Sequence, residues 1–324
     1  MSKAEALALV AGDLARVEKA IELDTVASVE AVTAIAHYLQ ANGGKRLRPL
    51  LVMLTARAGG DESDAPVRLG AIVEIVHTAT LVHDDVIDEA DVRRGRASTN
   101  KRWGNPISVL AGDWLYMQAF NLTLRERNFH LLDLVIELTQ TMVEGELIQH
   151  QMVGRLDVSE QEYLDLVHRK TAWLFSVCAR FGAVVAGVSE EEEERFGQYG
   201  WNLGMAFQLI DDVLDLAATE ETLGKPVGND LREGKVTLPL ILALNDCSDA
   251  DRALVETVIR DQGYQNVPSE RILELLNKNR SIEIVHQRAL DFATAASEEL
   301  SWLPESPYKR ALLSIPQWIV ERDR

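Results

Sequence analysis

The 324-residue chain has little that crosslinks, spans or strands. It holds two cysteines, Cys178 and Cys247, far apart and outside any ligand spacing. That excludes a disulfide framework and a cysteine zinc site, and fits a reducing cytosol. No apolar run approaches the roughly 20 residues a bilayer-spanning helix needs. The N-terminal MSKAEALALVAGDLARVEKA meets charges before any apolar leader could form. Alternating β-branched runs bounded by hairpin turns are missing, so a sheet is not expected. Basic charge is also short: 33 Lys and Arg stand against 51 Asp and Glu, a net charge of -18. A nucleic-acid binder would show a basic footprint, and none is here. The composition describes a soluble, cytoplasmic chain with no transmembrane segment.

What is present is helical. Hydrophobic residues make up 47% of the chain, enough for a large core. VRLGAIVEIVHTATLVHDDVIDEA, VLAGDWLYMQAFNLTL, HLLDLVIELTQTMVEGELIQHQ and RFGQYGWNLGMAFQLIDDVLDL all repeat apolar residues at i, i+3, i+4 and i+7. Breakers fall between such stretches, at Asn42-Gly43-Gly44, Gly59-Gly60-Asp61, Gly104-Asn105-Pro106 and Gly224-Lys225-Pro226. Asp64-Ala65-Pro66 predicts a helix start, and the helix is expected to run to about Glu89. Ser189 with Glu192 predicts a capping box. No linker or repeat divides the chain, so a single all-α domain over residues 1–324 is expected.

Charge then concentrates in places a core does not need. Asp84, Asp85 and Asp88 end one apolar stretch, in HDDVIDEADVRRGR; Asp211, Asp212 and Asp215 end another, in QLIDDVLDL. Both read DDxxD. Positions i and i+4 share a helix face, which pairs Asp84 with Asp88 and Asp211 with Asp215. Like charges at that spacing repel, more so in low dielectric. Divalent cations would relieve them, and oxygen-only ligands with open positions suit Mg²⁺ and phosphate. Asp85, Glu89 and Asp91 are expected to be solvated. Basic groups lie apart from the acids: Lys45, Arg46 and Arg48 in GGKRLRP, Arg93 and Arg94 after the first motif, Lys170 beside Thr171, and Lys225 and Lys235 flanking GKPVGNDLREGK. Arginine forks and lysine point charges together suit diphosphates. Arg93 and Arg94 are expected to reach for two different diphosphates rather than for the acids. His77 lies two helical turns before Asp84, on its face.

In this order, GGKRLRP, HTATLVHDDVIDEADVRRGR, GDWLYMQAF, RKTAWLF, GMAFQLIDDVLDL and GKPVGNDLREGKVTLPL resemble the trans-polyprenyl diphosphate synthases, most of all the bacterial long-chain members. The likeness covers nearly the whole chain. It implies an isoprenoid-synthase-type helical bundle around a deep central cavity, and a homodimer. It implies a prenyltransferase that condenses isopentenyl diphosphate with an allylic diphosphate, farnesyl diphosphate being the expected primer. Asp84, Asp88, Asp211 and, as a helper, Asp215 would hold up to three Mg²⁺ ions. Arg93, Lys170, Lys225 and Lys235 would contact the allylic diphosphate; Lys45, Arg48, His77 and Arg94 would hold isopentenyl diphosphate. Thr171 and Gln208 would stand near the allylic cation. In this family bulky residues just before the first DDxxD act as a floor, and here Ala79 and Thr80 are small. Products of C40 to C50, the size of quinone side chains, are therefore expected, with Trp114, Met117, Phe120 or Phe129 as deeper stops. Competing readings are a short-chain C15–C20 synthase, an HD-type metal phosphohydrolase using His77, His83-Asp84 and Asp211, a terpene cyclase of the same fold, and a non-catalytic subunit of a synthase.

Overall fold

A computed structural model describes residues 1–40, 46–93, 95–217 and 228–322. Among them the helices are α1 (Lys3–Leu9), α2 (Ala11–Asp24), α3 (Glu30–Gln40), α4 (Leu47–Ala58), α5 (Ala65–Ile87), α6 (Thr99–Trp103), α7 (Asn105–Arg125), α8 (Phe129–Met152), α9 (Glu160–Val167), α10 (Trp173–Ala186), α11 (Glu190–Ala217), α12 (Asn229–Arg232), α13 (Leu238–Asn245), α14 (Asp249–Asp261), α15 (Ser269–Lys278), α16 (Ser281–Glu299) and α17 (Pro307–Val320). The all-α expectation holds, with one small exception. Strands β1 (Val92–Arg93) and β2 (Arg96–Ala97) pair antiparallel, Val92 opposite Ala97. Two-residue strands are too short to carry an alternating pattern, so no periodicity announces them.

The chain groups into two compact units. The first comprises Met1–Thr139, Val177–Phe196 and Leu303–Leu312; the second comprises Gln140–Ser176, Gly197–Trp302 and Leu313–Arg324. In the first unit α5 packs against α7, α4 and α2. Leu69, Ile72, Ile75, Val76, Ala79 and Val82 are all buried along it. A helix packed on several sides is apolar on most of its surface, which explains its sequence. By length and composition alone α5 would suffice to cross a bilayer, but 67% of its apolar window is buried in the protein, as in a core helix. It also carries the buried Glu74, which accepts from Arg46 Nη1 at 2.6 Å. Arg46 caps α4 with a left-handed backbone and donates its Nη2 to Glu18 at 2.7 Å. A buried carboxylate needs such a partner.

The predicted boundaries largely hold. α5 opens after Asp64 with Pro66 in its first turn. It ends at Ile87, with Asp88 as C-cap and Glu89 at φ 49, two residues short of expectation. Ser189 and Glu192 form the expected capping box: the Glu192 N–H donates to Ser189 Oγ at 3.3 Å and the Ser189 N–H to Glu192 at 2.8 Å. The breakers at 42–44 and 224–226 lie outside the described residues.

In the second unit α13 packs on α16, α15 and α9. Between α9 and α10 the chain takes a wide π-helical turn, His168–Ala172. It carries Lys170 and Thr171. Such turns collect at functional positions because they swell the helix and re-aim its side chains.

Candidate active site

The first motif sits at the C-terminal end of α5. Asp84 is half-buried in the last turn, and exposed Asp88 donates its N–H to the Asp84 carbonyl at 2.8 Å. The helical spacing is therefore kept, and the two carboxylates share a face as predicted.

Asp85 departs from expectation. It is fully buried rather than solvated. Arg93 Nε ion-pairs with its Oδ1, and the Thr99 N–H and hydroxyl donate to its Oδ2 at 2.9 and 3.0 Å. Arg93 is thus a partner for an acid through Nε, where a diphosphate contact alone was expected. The physical reason is cost: a buried carboxylate demands donors, and the hairpin brings them. Glu89 and Asp91 are exposed as expected, Asp91 pairing with Lys101 at 2.8 Å.

On the same helix His77 and Thr80 are half-buried and Ala79 is buried; the Thr80 hydroxyl donates to the His77 carbonyl at 2.7 Å. Arg48 lies half-buried in the first turn of α4. Two of the expected deeper stops are at the surface: Met117 is 60% and Phe129 77% exposed, while Trp114 and Phe120 are half-buried. A side chain in solvent cannot floor a cavity enclosed by its own chain.

The second unit gathers more of the predicted residues. A cavity of about 190 Å³ is lined by Lys170, Thr171, Gln208, Lys235, Tyr163, Asp212 and Asp230, with Met152, Val153, Leu166, Val167 and Val236 as apolar wall. Tyr163, Val167, Lys170 and Thr171 come from α9 and the π-turn, on one face. Gln208 comes from α11. Gly204, one turn earlier, lets α11 close in: a Cβ there would stand 2.5 Å from the Ala172 backbone. Gly200 does the same against Phe175. The approach allows Thr171 Oγ to donate to Gln208 Oε1 at 2.9 Å.

Lys170 Nζ pairs with Glu146 at 2.6 Å and donates to Gln149 at 3.0 Å; Lys235 pairs with Glu233 at 2.7 Å. Asp211 is partly exposed and ion-pairs with Arg322. Asp215 is buried: its Oδ2 accepts the Asp230 N–H at 3.1 Å and its carbonyl accepts the Gly228 N–H at 2.7 Å. It anchors the start of α12, a task its spelling in the motif does not reveal.

Asp212 is buried too. Tyr163 donates its hydroxyl to Oδ2, and Gln208 Nε2 donates to Oδ1 at 2.8 Å. Burial, then the charges of Asp230 and Asp215, pushes its carboxyl up to about 8. Burial and the neighbouring Asp212 hold the Tyr163 phenol well above its ordinary value. Tyr163 belongs to no motif; its one signal is the i, i+7 spacing to Lys170. Lys45, Arg94 and Lys225 lie outside the described residues.

The donor set for a metal is oxygen only. Among the described residues no three His, Cys, Asp or Glu side chains group closely enough to hold an ion unaided. Paired carboxylates with open positions fit Mg²⁺, which completes its shell with water and phosphate oxygens. The set does not fit a phosphohydrolase centre. His83 Nε2 is engaged by the Val109 carbonyl at 3.1 Å and by Asp113 at 3.4 Å.

Known proteins share this sequence pattern and fold. The sequence pattern of the polyprenyl synthetase family matches residues 29–276. The octaprenyl diphosphate synthase of Escherichia coli (strain K12) is 40% identical over 316 residues, covering 98% of each chain. A decaprenyl diphosphate synthase from Rhodobacter capsulatus superposes with a TM-score of 0.93 at 34% identity, covering 98% of both chains. A polyprenyl synthase from Caulobacter crescentus CB15, complexed with calcium and isoprenyl diphosphate, gives a TM-score of 0.93 at 36% identity, covering 100% of this chain and 98% of that one.

Proposed function

The chain belongs to the polyprenyl synthetase family, with the isoprenoid-synthase helical fold and prenyltransferase activity, and we propose that it extends an allylic diphosphate, farnesyl diphosphate first, with isopentenyl diphosphate to a C40–C50 all-trans product. The observation that carries the reading is the meeting of Lys170, Thr171, Gln208 and Lys235 on one cavity, beside the helix that bears Asp211. Two cations and two neutral oxygen-bearing side chains are what an ionising diphosphate ester needs: charge for the leaving group, dipoles for the cation left behind.

The roles divide by chemistry. Lys170, Lys235, Lys225 and Arg93 hold the allylic diphosphate, with Arg93 anchored by Asp85. Lys45, Arg48, His77 and Arg94 hold isopentenyl diphosphate. Asp84, Asp88 and Asp211, with Asp215 as a helper, would hold up to three Mg²⁺ ions, which would supply positive charge against the departing diphosphate. Thr171 and Gln208 turn oxygen toward the allylic cation. The isopentenyl double bond attacks that cation, and the proton lost afterwards goes to the released diphosphate. The apolar wall keeps water from capturing the cation.

Ala79 and Thr80 leave no bulky floor beneath the first motif, so the product lengthens along α5, the wall of a deep cavity. A quinone side chain is the use that fits this length. One catalytic domain spans the chain, working in the cytoplasm. A homodimer is supported by an uncovered apolar stripe on α7, Leu110, Met117 and Leu124, exposed by 64, 60 and 45% at seven-residue spacing. Surfaces of that kind mark protein interfaces.

The test is direct. The purified protein, with Mg²⁺, labelled isopentenyl diphosphate and farnesyl diphosphate, is expected to give C40–C50 alcohols after dephosphorylation, sized by reverse-phase chromatography. Absence of Mg²⁺-dependent extension would refute the reading; a dominant C15 or C20 product would refute the open-floor argument alone.

A further inference from the structure

Tyr163 has no part in the chemistry above, and Asp212 stands between two proposed metal ligands without being one. Both are buried against the cavity that Thr171 and Gln208 line. We propose that Tyr163 and Asp212 are positioning residues that hold the Gln208 amide in one orientation, so that Gln208 and Thr171 present oxygen to the carbon that becomes cationic. The inference rests on the placement of Thr171 and Gln208 beside the allylic substrate.

The hydrogen bonds form one chain with a direction. Tyr163 donates to Asp212 Oδ2. Gln208 Nε2 donates to Asp212 Oδ1 at 2.8 Å. Thr171 Oγ donates to Gln208 Oε1 at 2.9 Å. A glutamine amide has a donor end and an acceptor end of nearly the same shape. The acceptor at Asp212 Oδ1 selects the donor end, which turns Oε1 toward Thr171. Thr171 has one hydroxyl proton and spends it on Gln208. Its lone pairs are left for the cavity. Turned over, the amide would put N–H groups beside Thr171, and the hydroxyl would rotate its proton elsewhere, including toward the developing cation.

The neutrality of the clamp matters. A buried carboxyl could be satisfied by an arginine, as Asp85 is by Arg93. A guanidinium behind Gln208 would add positive charge next to a site that must bear a cation. Tyrosine satisfies the same oxygen without that charge. The backbone supports the arrangement: Gly204, one turn before Gln208, seats α11 against Ala172, the neighbour of Thr171. Dipoles held this way need no reorganisation when charge develops, which is how preorganised sites lower barriers.

A double-mutant cycle tests this, with kcat and both KM values measured at saturating Mg²⁺ using farnesyl and isopentenyl diphosphates. Gln208→Ala is expected to lower kcat roughly 100-fold, and Tyr163→Phe roughly tenfold with both KM values within about twofold. The double variant is expected to match Gln208→Ala alone within about twofold, because the tyrosine acts only through the amide. If Tyr163→Phe does not fold, Asp212→Ala replaces it in the same cycle with the same expectation. A Gln208→Ala enzyme with wild-type kcat would remove the placement of Gln208, and the inference with it. A damaged Gln208→Ala enzyme with Tyr163→Phe within twofold of wild type, or with the tyrosine's loss undiminished in the double variant, would overturn the inference alone.

Discussion

In the first DDxxD motif the buried middle carboxylate, Asp85, is met by a cation and by the N–H and hydroxyl of Thr99. In the second, Asp212, equally buried, is met by a phenol and an amide. The letters match and the surroundings do not. Asp85 ties the β1–β2 hairpin to the end of α5, and so places Arg93 next to the helix that carries Asp84 and Asp88. Asp212 ties side chains that line a cavity. The outer aspartates differ as well: Asp88 and Asp211 reach solvent, whereas Asp215 is buried and bonded to the start of α12. The comparison teaches that a repeated motif repeats the helical spacing of its carboxylates, while the surroundings of each depend on what packs there.

The largest effect that tests this comparison is on turnover. Asp84→Ala is expected to cut kcat by at least about 10³-fold while helical circular dichroism and Tm stay near wild type. Retained activity would show that the outward aspartate is not a metal ligand. Next comes stability. Asp85→Ala strands the Arg93 guanidinium, whose side chain is 24% exposed; a loss near the lower end of about 3–5 kcal/mol is expected by denaturant unfolding. Tyr163→Phe, which removes one neutral hydrogen bond, is expected to lose about 1 kcal/mol in the same assay. Equal losses would erase the distinction between the charged and the neutral clamp.

The smallest effect concerns how α9 delivers Tyr163. Ser159 caps this helix by a capping box: the Glu162 N–H donates to Ser159 Oγ at 3.2 Å and the Ser159 N–H to Glu162 at 2.8 Å. The Ser159 N–H, its hydroxyl and Arg155 hold the exposed Glu162 carboxyl down to about 2, from an ordinary 4.5. Because the folded value is the lower one, the contribution is complete above about pH 4.5 and is lost as pH falls through about 2. Ser159→Ala is expected to lower Tm by about 2 °C at pH 6. The gap should narrow steadily in melts at lower pH, and a gap unchanged down to pH 2.5 would contradict the assignment.

Much of this was legible before folding. The start of α5 at Asp64-Ala65-Pro66 and the Ser189–Glu192 box are local events, decided by residues within one turn of each other. The face shared by Asp84 and Asp88 follows from helical spacing alone. Lys170, Thr171, Gln208 and Lys235 were found by resemblance, and they meet at one cavity. The departures from local expectation are of another kind. Asp85 was expected in solvent and Arg93 away from acids, because nothing local shows that residues eight and fourteen positions later return to Asp85. The hairpin and the π-turn were missed because five residues or fewer carry no readable period. Met117 and Phe129 were expected inside, since apolar residues at helical spacing look alike whether they face a core or an uncovered surface.

The sequence by itself determined the helices, their caps, the outward carboxylates and the family's order of motifs, all of which depend on neighbours within a few residues. Only the tertiary structure decided which aspartates of each motif turn inward and what greets them. Adjacent helical residues point about 100° apart, so Asp84 and Asp85 are neighbours in the chain and strangers in environment. What surrounds each is set by segments from elsewhere: Thr99 and Arg93 for Asp85, Tyr163 and Gln208 for Asp212. Burial and hydrogen-bond partnership are properties of packing, and packing has no local spelling.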